Sequence, residues 1–302
     1  MTYAVSSTIL ASDLNSFLTS MRSIYGVGTG NYGYGITTIT QADVVAGTTV
    51  VSSSHFNNLI GMMATCNTHQ GSGVTLVPTN LLDVGDTVVA HESSSPSLNA
   101  YDIDSGITTL TNNRMTASAT NMTLTSSAAT VTRSSAWSGT INSTVRIAFT
   151  NENAARHFFN TGGEIRLAYA HTNIANGNDT EWNTFLSSWG TIKVKGNSVI
   201  RTGSASGSYI VGTGFYGMTS TYSNQINAVN WSGGAYTGDD FTVQGRVGGV
   251  IGSLGGNGTY VEILTSMFGG YTTQSGTNLV VSIYRASGLG IASPTVSIID
   301  GF

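Results

Sequence analysis

The sequence predicts a mainly β protein: a small N-terminal helical module followed by a C-terminal antiparallel β-sandwich with Gly-rich loops. Three observations predict it. Beyond Trp137, apolar and polar residues alternate, as in Val145, Ile147 and Phe149 and again in Ile165, Leu167 and Tyr169, the pattern of strands buried on one face. Glycine pairs at Gly162-Gly163, Gly233-Gly234, Gly255-Gly256 and Gly269-Gly270 punctuate these runs, and chain reversals favour glycine. Ahead of residue 80 the spacing is helical instead: Leu14, Phe17, Leu18, Met21 and Ile24 recur every three or four residues.

In chain order, the first helix runs from an N-cap at Ser12 to a stop at Gly26. A second starts at Ser54 and places Phe56, Leu59, Ile60 and Met63 on one face. Ser12 to Leu18 aligns without gaps on Ser54 to Ile60, and Met21 then falls on Met63. Two readings stay open, a degenerate repeat or the periodicity any two amphipathic helices share. The pair is expected to form an attachment module over residues 1–80. Residues 81–136 are expected to be a Ser/Thr-rich extended connector. Within it, 105–135 reads either as a solvated linker or as a segment ordered only against a neighbouring subunit. The sandwich is expected over 137–302, with later strands at 191–195, 198–202, 214–222, 240–247, 259–265 and 278–285, about eight in all. Two short helices interrupt it, at 152–160 with Asn151 as cap, and at 181–188 behind an Asp179/Thr180 cap.

Charge is the unusual quantity. Only 9% of the 302 residues are charged, against roughly 25% in an ordinary domain, so neutral Ser, Thr, Asn and Gly must keep the surface wet. The 11 basic residues are scattered and the net charge is -4, which argues against a nucleic-acid groove. A single cysteine, Cys66, excludes an internal disulfide. No apolar run reaches membrane-spanning length, so membrane insertion is not expected, and the first twenty residues lack a secretory pattern. The expectation is a chain made in a cytoplasm.

Each candidate motif has a plainer explanation. Gly28 to Gly33 and Gly212 to Gly217 both match GxGxxG, but neither stands between a strand and a helix as a dinucleotide site requires. His55, Cys66 and His69 lack a fourth zinc ligand, and helical spacing holds His55 three turns from Cys66. Asp102-Ile103-Asp104-Ser105-Gly106 resembles part of a calcium loop and reads more simply as a polar turn. Gly203 to Gly207 has Ala205 where a nucleophile would stand. Glu164 and Glu262 are the carboxylates one would pair for glycoside cleavage, yet nothing in the sequence brings them together. Tyr209, Phe215, Tyr216, Tyr222, Trp231 and Tyr236 are either sandwich core or a surface for glycans or proteins. No catalytic, cofactor-binding or metal-binding residue is nominated, and no cofactor is expected.

Val145-Arg146-Ile147-Ala148-Phe149, followed by Ala154-Ala155-Arg156-His157-Phe158-Phe159-Asn160-Thr161-Gly162-Gly163-Glu164-Ile165-Arg166, carries an A-R-x-F-F-N-x-G-G-x-I-R signature. It resembles virion structural proteins of tailed bacteriophages, notably cyanophages and other marine phages. Asn112-Asn113-Arg114, the stretch from Trp182 to Thr191, and the N-terminal helix followed by Gly26 to Gly35 look similar too, so the resemblance covers most of the chain from residue 12 to 195. It implies a non-enzymatic virion component assembled in the host cytoplasm, a tail fibre or baseplate-attached appendage. Its partners would be copies of itself as a homotrimer, other virion proteins and host surface glycans, with no nucleic acid. The loops at 203–238 are the expected contact surface. A capsid decoration or tail-shaft-associated protein is the alternative, and a tail-borne glycan hydrolase a third. The family supplies no catalytic residues to carry over.

Overall fold

A computed structural model describes residues 9–26, 33–37, 42–48, 51–75, 88–89, 100–204, 209–228, 240–249 and 258–302. The chain divides into two units, Met1–Asn121 and Met122–Phe302.

In the first unit the predicted stripes form helices α1 (Ala11–Tyr25) and α2 (Ser53–Gln70). α1 buries Leu14, Phe17, Leu18, Met21 and Ile24, and α2 buries the aligned Phe56, Leu59, Ile60 and Met63. The start of α1 lies two residues earlier than a cap at Ser12 predicts. Leu10 occupies the cap position, and the Asp13 carboxylate accepts its N–H at 2.8 Å. Ser52 caps α2 with His55 reaching back to it, and Gly71 ends the helix at φ +65°. A third helix, α3 (Ala100–Asn112), packs on both others and buries Ile103, Ile107 and Leu110. This corrects the connector expected over 81–136. Apolar residues at 103, 107 and 110 are helically spaced, but the Ser and Thr between them dilute the signal.

The rest of that segment enters the second unit. Strand β1 (Met122–Thr132) pairs with β10 (Thr277–Ala286) of the same chain, so it is neither a solvated linker nor a segment needing a neighbouring subunit. The unit boundary therefore falls at residues 121/122 rather than at 80 and 137. An edge strand buries less apolar surface than a central one, which explains why a Thr-rich run suffices here.

The sandwich continues with β2 (Trp137–Ala148), α4 (Glu152–Asn160), β3 (Glu164–His171), α5 (Gly177–Ser188), β4 (Thr191–Val194) and β5 (Val199–Arg201). Then come β6 (Tyr209–Val211), β7 (Ser223–Ala228), β8 (Phe241–Gly248), β9 (Tyr260–Thr273), β10 and β11 (Thr295–Asp300). Two antiparallel sheets result, ordered β1-β10-β3-β4-β5 and β11-β2-β9-β8-β7-β6. Alternate residues turn inward: Ile165 and Leu167, Leu279 and Val281, Val261 and Ile263, Val145 and Ile147 are all fully buried. The sheets meet directly where the Tyr169 ring packs edge-on to Phe241 at 5.0 Å and its hydroxyl bonds Thr265 at 2.8 Å. α4 and α5 feed this core with Phe158, Phe159, Trp182, Phe185 and Leu186, each contributing about 1.5–3 kcal/mol on burial.

Several expected boundaries move. The strand predicted at 214–222 is a 3₁₀ turn (Phe215–Gly217), with β7 starting only at Ser223. Gly269-Gly270 lies inside the long β9 rather than at a turn, whereas Gly233-Gly234 and Gly255-Gly256 lie outside the described residues. α5 begins at Gly177 under an Asn176 cap, four residues before the predicted start. Strands β1, β6, β7 and β11 had no clear alternating signal in the sequence. Among the described residues no helix is long and apolar enough to cross a membrane.

Candidate functional site

The segment from Val145 to Arg166 folds as one strand–helix–strand unit at the centre of the sandwich, and its residues serve that fold. The Asn151 side chain accepts from Ala154 N–H at 2.8 Å and caps α4, as the sequence predicts. Phe158 and Phe159 are fully buried, and Phe159 stacks on Phe215 at 4.3 Å. Asn160 accepts from the Tyr216 hydroxyl at 2.8 Å. The chain then reverses through Gly162, at φ +79°, and Gly163, where a Cβ would stand 2.5 Å from the Phe158 carbonyl oxygen. Only glycine fits such a close approach.

The two glutamates singled out from the sequence end on different sheets. Glu262 lies on the outer face of the six-stranded sheet, in register with Arg146 on one side and Arg246 on the other. Both guanidinium groups bond its carboxylate at 2.5–2.8 Å, and the Tyr222 hydroxyl donates at 3.1 Å. Arg146 also lies over the Tyr260 ring and Arg246 over Tyr222. Burial alone would raise the Glu262 carboxyl, but hydrogen bonds from Arg146, Arg246 and Tyr222 outweigh it and hold the group below the usual carboxylate range. The result is a closed lock across β2, β9 and β8.

Glu164 lies on the outer face of the five-stranded sheet, beside Arg166, Lys193 and Lys195. Arg166 Nε donates to it at 2.7 Å, while the lysine ammonium groups stand 3.9 and 3.4 Å away. The Arg166 guanidinium covers the Tyr284 ring at 3.4 Å. Since stacked sheets are about 10 Å apart, two carboxylates on opposite outer faces lie farther apart than the roughly 5–9.5 Å that glycoside cleavage uses. The pairing of Glu164 with Glu262 is therefore geometrically excluded.

One cluster escaped the sequence reading. His171, Asp179 and Thr277 come together at 0–2% exposure. Thr277 Oγ1 accepts from Trp182 Nε1 at 3.1 Å and shares a hydrogen bond of 3.2 Å with His171 Nδ1. His171 Nε2–H donates to Asn173 O at 3.0 Å, with Asp179 3.5 Å away. Burial lowers the His171 pKa, against the opposing influence of Asp179 and Asn173. Asp179 accepts backbone N–H bonds from Ala175, Asn176 and Gln274 at 3.0–3.2 Å. Hydroxyl, imidazole and carboxylate stand in the order of a nucleophilic triad, but burial closes the hydroxyl to any substrate. The cluster pins the start of α5 to the β9–β10 turn. No spacing rule could have found it, because its members are up to about a hundred residues apart.

The remaining candidates stay separate. His55 sits at the start of α2, Cys66 and His69 are buried in its later turns, and burial pushes the Cys66 thiol up to about 12. Asp102 to Gly106, expected as a turn, is part of α3. Asp102, Ser105 and Gly106 line a polar cavity of about 320 Å³ with Ser72 to Thr75, while Asp104 is not among its lining residues. Among the described residues no group of three metal-ligating side chains gathers. The Gly212–Gly217 motif leads from β6 into the 3₁₀ turn, not into an α-helix, and most of the Gly28–Gly33 motif lies outside the described residues. Of the aromatic group, Phe215 is buried, Tyr216 and Tyr222 are partly buried, and Trp231 and Tyr236 lie outside the described residues, as does much of the 203–238 loop region.

Comparison of the chain with protein-family models, with curated proteins and with solved structures finds no match in any of the three.

Proposed function

We propose that this chain is a non-enzymatic structural component of a tailed-phage particle, a tail fibre or baseplate-attached appendage that assembles as a homo-oligomer. The observation that carries this reading is the strand–helix–strand unit from Val145 to Arg166. It holds the signature resembling virion proteins, and its Asn151, Phe158, Phe159, Asn160 and Gly163 all serve capping, packing or turning. The charge-poor, Ser/Thr/Asn-rich composition adds support. It offers little like-charge repulsion between copies held side by side, and closed symmetry multiplies weak contacts into firm ones. Light scattering coupled to size exclusion tests the assembly, and antibody labelling of purified particles tests the location. A stable trimer that labels the tail is the expected result. A monomer that labels the head would overturn the fibre reading in favour of a decoration subunit.

A further inference from the structure

The two outer-face charge clusters differ in what they leave unspent. At Glu262, each arginine commits two nitrogens to the carboxylate. At Glu164, one carboxylate faces three cations, and Arg166 reaches it only through Nε. Among the described residues neither the terminal guanidinium nitrogens of Arg166 nor either ammonium group makes a hydrogen bond; the lysines contact Glu164 as ion pairs alone. Both lysines of the chain stand here, and Glu164 is 10% exposed at its side chain against 22–25% for the three cations. The carboxylate thus sits below and holds the cations in place, while an excess of two positive charges faces outward.

We propose that Arg166, Lys193 and Lys195 bind the phosphate or sulfate ester of an anionic saccharide. The charge matches one such group: a phosphate monoester carries about -1.5 to -2 at neutral pH, and forked guanidinium and mobile ammonium donors suit its oxygens. The stems are already packed, so little rotamer entropy remains to be lost on binding. Register extends the site as a flat shelf without further charge. Arg166 pairs with Ser282 and Lys193, Lys193 with Ile200, and the next row is Val280, Ala168 and Thr191. Ile200 and Val280 are exposed, which suits the apolar face of a sugar ring beside the ester. A nucleic acid fits less well, because tracking its backbone takes on the order of six to ten phosphate contacts, and the second unit carries nine cations against eight acids overall. The inference depends only on this cluster and holds whether the chain is a fibre or a decoration subunit.

The test titrates the full-length protein with mannose 6-phosphate, mannose, inorganic phosphate and a short DNA duplex, by calorimetry or NMR. Mannose 6-phosphate is expected to bind, more weakly as salt rises from about 50 to 300 mM, and mannose is not. The double variant Lys193→Gln/Lys195→Gln is expected to lose roughly tenfold or more, the effect of two charge-assisted hydrogen bonds, whereas Lys193→Arg/Lys195→Arg retains binding. Glu164→Gln, checked for an intact fold, removes the competing charge and is expected to tighten binding severalfold. Absence of sugar-phosphate binding, or binding indifferent to the double Gln variant, overturns the proposal. So does inorganic phosphate binding as tightly as the sugar ester, or tighter binding of the duplex. Oligomeric state and labelling of particles are read separately, so failure here is distinct from failure of the structural role.

Discussion

Replacing Asp179 probes how the sandwich fixes α5. Its carboxylate is fully buried and takes three backbone N–H bonds, from Ala175 and Asn176 at one oxygen and from Gln274 at the other. Asp179→Ala removes all three acceptors and the neighbour of His171 Nε2. Hydrogen bonds to a charged group contribute about 1.5–3 kcal/mol each. They do not add fully here, because the part-buried N–H groups regain water once the acceptor is gone, so the expected loss is about 3–5 kcal/mol. Asp179→Asn keeps one oxygen, which best serves Ala175 and Asn176, and turns an amide N–H₂ toward the Gln274 N–H. One bond is lost and two donors face each other, for about 1.5–3 kcal/mol. At about 2–4 °C per kcal/mol for a domain of this size, the Ala variant should melt roughly 6–20 °C lower. Urea unfolding followed by tryptophan fluorescence measures this directly, since Trp182 belongs to the same cluster. A loss below about 0.5 kcal/mol for Asp179→Ala, the range of neutral surface changes, would refute the pin.

Four other substitutions and a pH titration test the remaining reasoning. Gly163→Ala places a Cβ 2.5 Å from the Phe158 carbonyl and should destabilise by about 2–3 kcal/mol. Gly177→Ala, in the first turn of α5 with no atom within 4 Å of the added carbon, should be neutral or stabilise by up to about 0.5–1 kcal/mol; equal melting shifts in the two would dismiss the steric argument. Ser143 faces the core at 0% exposure with a hydroxyl that has no partner among the described residues. Ser143→Ala should therefore leave stability unchanged or raise it by up to about 1 kcal/mol, and a clear loss on urea unfolding would show that the hydroxyl is hydrogen-bonded in the folded chain. Burial, reinforced by Arg156, holds the His157 imidazole down at about 4, and burial also lowers His171. The unfolded chain takes up those protons near pH 6.5, so stability is full above that pH and falls progressively toward pH 4. His157→Gln should flatten the decline, and an unchanged slope would mean His157 does not contribute to it.

Periodicity by itself determined the helical faces of α1 and α2 and the inward residues of the central strands. Burial of one face imposes a repeat of 3.6 or 2 that any sequence must carry. Residue type determined the Asn151 cap and the Gly162-Gly163 reversal, because caps and close backbone approaches are local and need particular side chains or none. The aligned positions of α1 and α2 are buried in both helices, which either open reading of their likeness would produce. Three of the four edge strands were illegible for the converse reason: β1, β6 and β11 each pair on one side only, so they need little apolar alternation, and β1 passed for a connector. α3 was hidden because Ser and Thr separate its few apolar residues. Tertiary structure alone decided the fate of the charges. Glu164 and Glu262 have similar local sequence, a glutamate within a β-rich run, yet register gives one two committed arginines and the other three half-committed cations. His171, Asp179 and Thr277 meet only because β3, α5 and β10 pack together. Pairwise electrostatics depends on distance in space, and sequence separation carries no information about that until the sheets are paired.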